Sequence, residues 1–452
     1  MNKTKKIDMT QGPVMKLVFL FALPIIIGNI LQQLYNTVDM LVIGNFCGSE
    51  SLAAVGTSAQ PVEFLMCMFL GLGTGVSILV SQCTGSGNIT QLKKVVATAV
   101  GFLYMCAIPF SILGYFLAPP FLQMMQVPEE AFDLAVSYTR IIFMGTLGNM
   151  GYNMNAGILR GLGDSRSSLL FLLISCVVNI VLDLVFVAGL RMDVVGAALA
   201  TIIAMFSSWA CSILYIKRKY PDLEFKVFPR TFDKSILGSI LRIGLPLGLN
   251  HSIYSIGHIL MQSLINAQGY TFMAAASIAG KINSIANVSI NAFASAGTTF
   301  AGQNRGAGNF DRLKKGSLRI PLYAGIITCT AGLIITAFCR PILGLFTPDK
   351  AVIEIAARYH TRIVLPFTWC FAIFNCIINY VNGMGVVKYP TVVNILMLWA
   401  VRIPSAYLIA HFIDGLYIMA AIPISFLFGL IGMLLFYRTK QWKQIMQKDA
   451  LP

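Results

Sequence analysis

The sequence predicts an all-α polytopic membrane protein: twelve transmembrane helices forming two six-helix bundles, related by a pseudo-two-fold axis along the membrane normal. Three observations carry this reading. The 452-residue chain is 57% hydrophobic and 11% charged, whereas globular domains carry about a quarter charged residues, so it has too little polar surface to cover itself in water. Its apolar residues gather into runs of the roughly 20 residues that a helix needs to cross the hydrocarbon core. The stretch SQCTGSGNITQLKK at 81–94 also returns 221 residues later as GQNRGAGNFDRLKK at 302–315, which marks an internal duplication.

Twelve segments meet the length requirement, at about 15–43, 51–82, 95–118, 131–159, 166–189 and 194–216 in the first half. In the second half they lie at about 236–266, 272–302, 317–339, 351–381, 388–410 and 415–437. Some are free of charge over long distances, as in 64–92 and 243–280. An even number of spans puts both termini on one side. Basic residues gather at the N-terminus (Lys3, Lys5, Lys6, Lys16), at Lys93/Lys94, Arg160/Arg166, Lys217–Lys234, Arg305–Arg319 and Lys388, and at the C-terminus (Arg438, Lys440, Lys443, Lys448). The opposite loops carry Glu50, Glu129, Glu130, Asp193, Asp349 and Asp414. By the positive-inside rule both termini are cytoplasmic.

The repeat extends beyond the loop. Leu23-Pro24 matches Leu245-Pro246, Ala53-Ala54 matches Ala274-Ala275, Tyr138 matches Tyr359, and Gly161-Leu162-Gly163 matches Gly383-Met384-Gly385. The expected organisation is an N-terminal lobe over 1–216, a cytoplasmic linker over 217–234 and a C-terminal lobe over 235–452. Six spans per copy give the copies the same orientation, a design suited to alternating access around a central cavity.

Other classes fit less well. The net charge of +15 is spread between spans rather than over one face, so no nucleic-acid partner is expected. The ten cysteines and four histidines lack metal-type spacing, and most of the cysteines lie inside apolar stretches. G-S-G-N and G-L-G-T-G resemble phosphate loops, but no GK[ST] follows and no strand precedes them, so an NTPase is not expected. No D-D-x-x-D motif suggests a membrane transferase, and neither enzyme activity nor a cofactor is expected. The first apolar run is too long for a cleavable signal peptide and lacks a small-residue cleavage site.

Of eighteen acidic residues, only Asp39, Glu63 and Asp183 fall well inside spans, all in the first half. An ionisable group there costs roughly 2.5–3.5 kcal/mol on insertion scales and marks a functional site by default. Gln32, Tyr35, Asn36 and Asp39 are spaced by three or four residues and share a helix face. Asn179 lies four residues before Asp183. Such stripes can simply join helices by hydrogen bonds, but two carboxylates with polar companions favour a coupling role. Buried carboxyls can load a proton, or supply oxygen ligands to Na⁺. Glu63, after Pro61, is a weaker candidate. Met144, Asn149 and Asn153 on the fourth span, with Gln32, Asn36, Glu63 and Lys281, are candidate cavity-lining residues. Arg402 and Lys281 are the deep basic residues of the second half. Pro24, ahead of Asp39, is a candidate hinge.

The residues GPVMKLVFLFALPIIIGNILQQLYNTVDMLVIG, the repeated G-x-G-N loop, ILRGLGDSR, NIVLDLVFV and GAALATIIA together resemble the multidrug and toxic-compound extrusion (MATE) family over the whole chain. The resemblance is closest to its DinF-like branch. It implies two six-helix bundles facing a cleft and a Na⁺- or H⁺-driven antiporter of amphipathic organic cations. It assigns ion coupling to Asp39, Asn179, Asp183 and Thr201, with Tyr35 a turn from Asp39; these four would also be the Na⁺ ligands. The regions where the NorM-like branch carries acidic residues read GLPLGLNHSIYSIGH and FAIFNCIINYVNG here, without a carboxylate. The expected protein is thus a monomeric exporter of small organic cations in a bacterial cytoplasmic membrane. The alternative is a flippase for lipid-linked saccharides, which needs a basic cavity.

Overall fold

Lipid offers no hydrogen bonds to a backbone, so a spanning chain must satisfy its own, as a helix does. The computed structural model describes residues 6–125, 127–229, 232–344, 347, 349–413 and 415–447. The side chains of 49, 59–61, 63–65, 68, 270, 285–286 and 415–416 lie outside the description. That leaves out the Glu63 side chain, and Lys3, Lys5, Asp414 and Lys448 altogether.

Among the described residues every ordered element is helical, and each of the twelve predicted segments is present. The first three spans are Val14–Phe46, Ser49–Ser86 and Ile89–Met124. The fourth is two helices, Glu129–Met144 and Thr146–Gly161, and the fifth is Ser165–Asp183 continued by a π-helical turn, Leu184–Gly189. Asp193–Lys219, Lys234–Asn266, Tyr270–Gly306 and Phe310–Ala337 follow, and the last three spans are Lys350–Gly383, Lys388–Phe412 and Tyr417–Phe436. Eight of these are long and apolar enough to cross a membrane by length and composition. Large apolar side chains lie open on them, such as Ile112, Phe116, Leu333 and Leu408, as lipid-facing surface requires.

The repeated loop is a pair of helix caps. Gly87 takes φ 69° at the end of the second span, and Asn88 caps the third by accepting the Gln91 N–H at 2.9 Å. Gly308 adopts φ 67° at the equivalent place, where glycine avoids the left-handed penalty.

By its internal contacts the chain forms two units, Met1–Ile7 with Leu23–Leu249 and Asp8–Ala22 with Asn250–Pro452. Of the three boundaries, those at 22/23 and 249/250 fall inside helices, close to Pro24 and Pro246.

In the first unit, Val76, Val80, Leu103, Ile158, Phe171 and Ile216 belong to one buried cluster. Gly71 and Gly75 of the second span cross Gly244 and Gly248 of the seventh, two G-x₃-G faces in backbone contact. A Cβ at Gly71 would stand 2.1 Å from the Gly248 nitrogen. Residues 221–229 and 232–233 pack on the third span. Leu223 and Phe225 are buried, Phe228 stacks on Tyr104 at 5.2 Å, and Lys93 pairs with Glu224 at 2.6 Å. Asp164, the cap of the fifth span, is buried at the centre of a knot. Its Oδ2 accepts from Lys219 at 2.8 Å, from Ser167 Oγ at 2.8 Å, and from the hydroxyls of Tyr215 and Tyr220, each at 2.9 Å. Burial pushes this carboxyl up, but the Lys219 and Ser167 hydrogen bonds and the Lys219 charge outweigh it, holding it below the usual carboxylate range.

In the second unit, residues 8–12 dock against the second copy of the loop. The Met9 N–H donates to Gln303 Oε1 at 3.0 Å, and the Met9 carbonyl accepts from Asn304 Nδ2 and Arg312 Nη2, each at 3.0 Å. Proline at 366 and 404 accompanies local departures from α geometry: a π turn and a 3₁₀ turn over 360–367, and a π turn at Met397–Arg402. Proline blocks the hydrogen bonds of the preceding turn.

Candidate functional site

Asp39 and Asp183 meet inside the first unit. A helix repeats its face every three or four residues, so the first span presents Tyr35 and Asp39 together, and the fifth presents Asn179 and Asp183. Thr201 comes from the sixth span. Asp183 is 0% exposed, Asn179 1%, Thr201 7% and Asp39 8%. The two carboxyl groups lie close enough to interact directly.

The Asn179 amide suits its surroundings in one orientation. Its nitrogen then donates to Asp183 Oδ2 at 2.9 Å and its oxygen accepts the Thr201 N–H at 3.2 Å. The opposite orientation leaves one long contact to Thr201 Oγ1, at 3.4 Å, and turns the amide oxygen toward a carboxylate. The first is adopted because it leaves no acceptor facing an acceptor. The Tyr35 hydroxyl lies beside Thr201. Asp39 Oδ1 and Asp183 Oδ1 are buried without a partner.

Ionised carboxylates only accept, so two of them can share a hydrogen bond only when one is protonated. Two unit charges 4 Å apart repel by about 4 kcal/mol at an effective dielectric constant of 20. A single proton on the pair, or a cation beside it, would relieve this repulsion. The π turn Leu184–Gly189 starts immediately after Asp183, and such turns often sit at functional sites.

The structure thus brings Asp39, Asn179, Asp183, Thr201 and Tyr35 together. It adds Tyr138 of the fourth span, whose hydroxyl lies near Asp39, Tyr35 and Asp183. In the sequence Tyr138 is only a landmark of the repeat, matching Tyr359, and no local pattern ties it to the carboxylates.

The candidate lining residues divide. Gln32, Asn149 and Asn153 share a cavity of about 210 Å³ with Met66, Phe69 and Phe102. Asn153 Nδ2 donates to Asn149 Oδ1 at 2.7 Å, which fixes both amides. Met144 does not line this cavity; it ends its helix 60% exposed. Asn36 is exposed and is likewise absent from the lining. Lys281 lies in the second unit, in a cavity of about 520 Å³ that Arg402 also lines. Pro24 sits within the continuous helix Val14–Phe46, fifteen residues before Asp39.

The MatE family profile matches the chain twice, over residues 24–185 and 246–408. The two matches begin at Pro24 and Pro246, in the register of the repeat. The chain is 30% identical to the probable multidrug resistance protein YpnP of Bacillus subtilis (strain 168), covering 97% of this chain and 98% of that protein. It is 29% identical to the probable multidrug resistance protein YoeA of the same organism, over 94% and 93%. Among solved structures, the outward-facing conformation of a multidrug resistance MATE family transporter of the MOP superfamily matches with a TM-score of 0.88. That match has 25% identity and covers all of both chains. On its duplicated profile, its full-length relatives and its helical architecture, this chain belongs to the MatE family of multi-pass membrane transporters.

Proposed function

We propose that the protein is a secondary active antiporter of the cytoplasmic membrane, with both termini inside. It exports amphipathic organic cations in exchange for a coupling ion. The observation that carries this reading is the adjacent pair Asp39–Asp183, buried together with Asn179 and Thr201. One proton on the pair cancels one of two charges that cannot both persist in a desolvated site. A lipophilic cation competes for the same negative charge, so proton loading from outside displaces substrate outward and substrate binding from inside displaces the proton. Alternating access keeps the two events on opposite sides.

The proton is the preferred coupling ion because two carboxyls set side by side away from water carry one shared proton more readily than two charges. Na⁺ is the second reading. The unpartnered Asp39 Oδ1 and Asp183 Oδ1, with the Asn179 and Thr201 oxygens, are the hard donors that such a cation takes. The test is ethidium efflux from proteoliposomes, driven separately by a pH gradient and a Na⁺ gradient, for the parent, Asp39→Asn and Asp183→Asn. The reading expects pH-driven efflux that both substitutions abolish. Full coupled transport by both variants would overturn it.

A further inference from the structure

The second unit holds a cavity of about 520 Å³ whose charge is opposite to that of the carboxyl pair. Its walls are apolar and aromatic, with Tyr254, Met261, Phe371 and Phe426 among them, and its charged members are Lys281 and Arg402. No Asp or Glu lines it among the described residues. Arg402 is 3% exposed. Its Nε donates to Ser425 Oγ at 2.9 Å and its Nη1 to the Tyr254 hydroxyl at 3.1 Å. The guanidinium lies 4.8 Å from the Phe426 ring and 5.4 Å from that of Tyr254. Its Nη2 is buried without a partner.

A guanidinium cannot shed its charge, and an isolated buried charge is costly unless paired. Two hydrogen bonds to neutral hydroxyls and two ring contacts orient this one without neutralising it. The remaining N–H group, in a cavity that also contains a lysine, is the donor a carboxylate or phosphate oxygen would take.

The repeat register sharpens the point. At the 222-residue offset between Pro24 and Pro246, Asp39 corresponds to Met261 and Thr201 to Pro423, both of which line this cavity. Tyr138 corresponds to Tyr359, also in the lining. At 223, the offset between the ends of the two family matches, Asn179 corresponds to Arg402. At offsets of 221 to 223, counterparts of Asp39, Tyr138, Asn179 and Thr201 thus line this cavity, with the Asp39 acid replaced by a thioether and the Asn179 amide by a guanidinium; no counterpart of Asp183 is in the lining among the described residues.

We infer that this cavity is a binding site for an amphipathic organic oxyanion. The carboxylate or phosphate head sits on Arg402 and Lys281, and the apolar body lies against Met261, Phe371 and Phe426. The inference is independent of the coupling ion and of transport.

The test is equilibrium binding to the purified full-length protein in neutral detergent. The probes are 4-phenylbutyrate, its neutral isostere 4-phenylbutan-1-ol, and phosphatidylglycerol against phosphatidylcholine. Parent protein should bind at least one anion ten-fold or more tighter than its neutral or zwitterionic partner. The anion that does so identifies the source as a carboxylate solute or a lipid phosphate. Arg402→Gln should erase the preference. Lys281→Gln, at an exposed side chain, should reduce it several-fold in a protein that still folds. Asp39→Asn should leave it intact, so loss of coupled transport and loss of this site are separately visible. Equal affinity for charged and neutral partners in the parent, or a full preference retained in both Arg402→Gln and Lys281→Gln, would overturn the inference.

Discussion

Replacing Gly71 by alanine should pry apart the crossing of the second and seventh spans. The added Cβ would lie 2.1 Å from the Gly248 nitrogen, 2.4 Å from its Cα and 2.8 Å from the Gly244 carbonyl oxygen. Nonbonded carbon contacts settle at about 3.5–4.0 Å, and both obstacles are backbone, so no rotamer can relieve the clash. The helices must separate by about 1.5 Å, enough to forfeit more than about half of each contact along the seam. Overpacking of this kind costs about 1–3 kcal/mol, and the upper end applies where backbone meets backbone. Gly73, two residues along the same helix, is the matched control: a Cβ there meets nothing within 4 Å. Gly73→Ala should be neutral or stabilise by up to about 1 kcal/mol through helix propensity. Thermal unfolding in detergent, followed by tryptophan fluorescence, should show a lower midpoint for Gly71→Ala and none for Gly73→Ala. Equal midpoints for the two variants would refute the close-crossing argument.

Further expectations concern the cytoplasmic knot and the first span. Asp164→Asn removes the charge that Lys219, Ser167, Tyr215 and Tyr220 converge on. It should destabilise by about 2–4 kcal/mol, read from denaturant or thermal curves. Because the folded Asp164 carboxyl is held below its ordinary value of about 3.9, its contribution is complete above that pH and disappears as pH falls through the folded value. The difference between parent and Asp164→Asn should therefore shrink only in acid; a gap that persists unchanged at pH 3 would contradict this. Pro24→Ala restores a helix hydrogen bond and should raise the melting temperature. If Pro24 serves as the hinge, the same change slows ethidium efflux and shifts its pH dependence; normal efflux with unaltered pH dependence removes that role.

The spans were legible because lipid imposes a length and a polarity that composition cannot hide. The carboxyl pair was legible for the same reason: Asp39 and Asp183 stand out against apolar neighbours, and each has a polar companion at helical spacing. Less accessible was anything set by three-dimensional approach. G-L-G-T-G at 71–75 reads in sequence as a failed phosphate loop, whereas in the fold Gly71 and Gly75 are a helix-crossing surface. Its partner, Gly244 and Gly248, lies more than 150 residues away, so no local pattern pairs them. Tyr138 reaches the site only through the packing of the fourth span. Arg402 and Lys281 were visible as deep cations, but that both line one cavity required the coordinates. The apolar and amide-bearing lining residues expected on the fourth span divided for a related reason: Asn149 and Asn153 line a cavity, while Met144 sits at a helix break before Gly145.

The account rests on a proton held between Asp39 and Asp183 that substrate displaces. The direct measurement is proton release from the purified protein in weakly buffered detergent solution on adding ethidium. The parent should release about one proton per bound ethidium, and Asp39→Asn and Asp183→Asn should bind with little or no release. Undiminished release in both variants, or saturable binding by the parent with no release, would contradict the account.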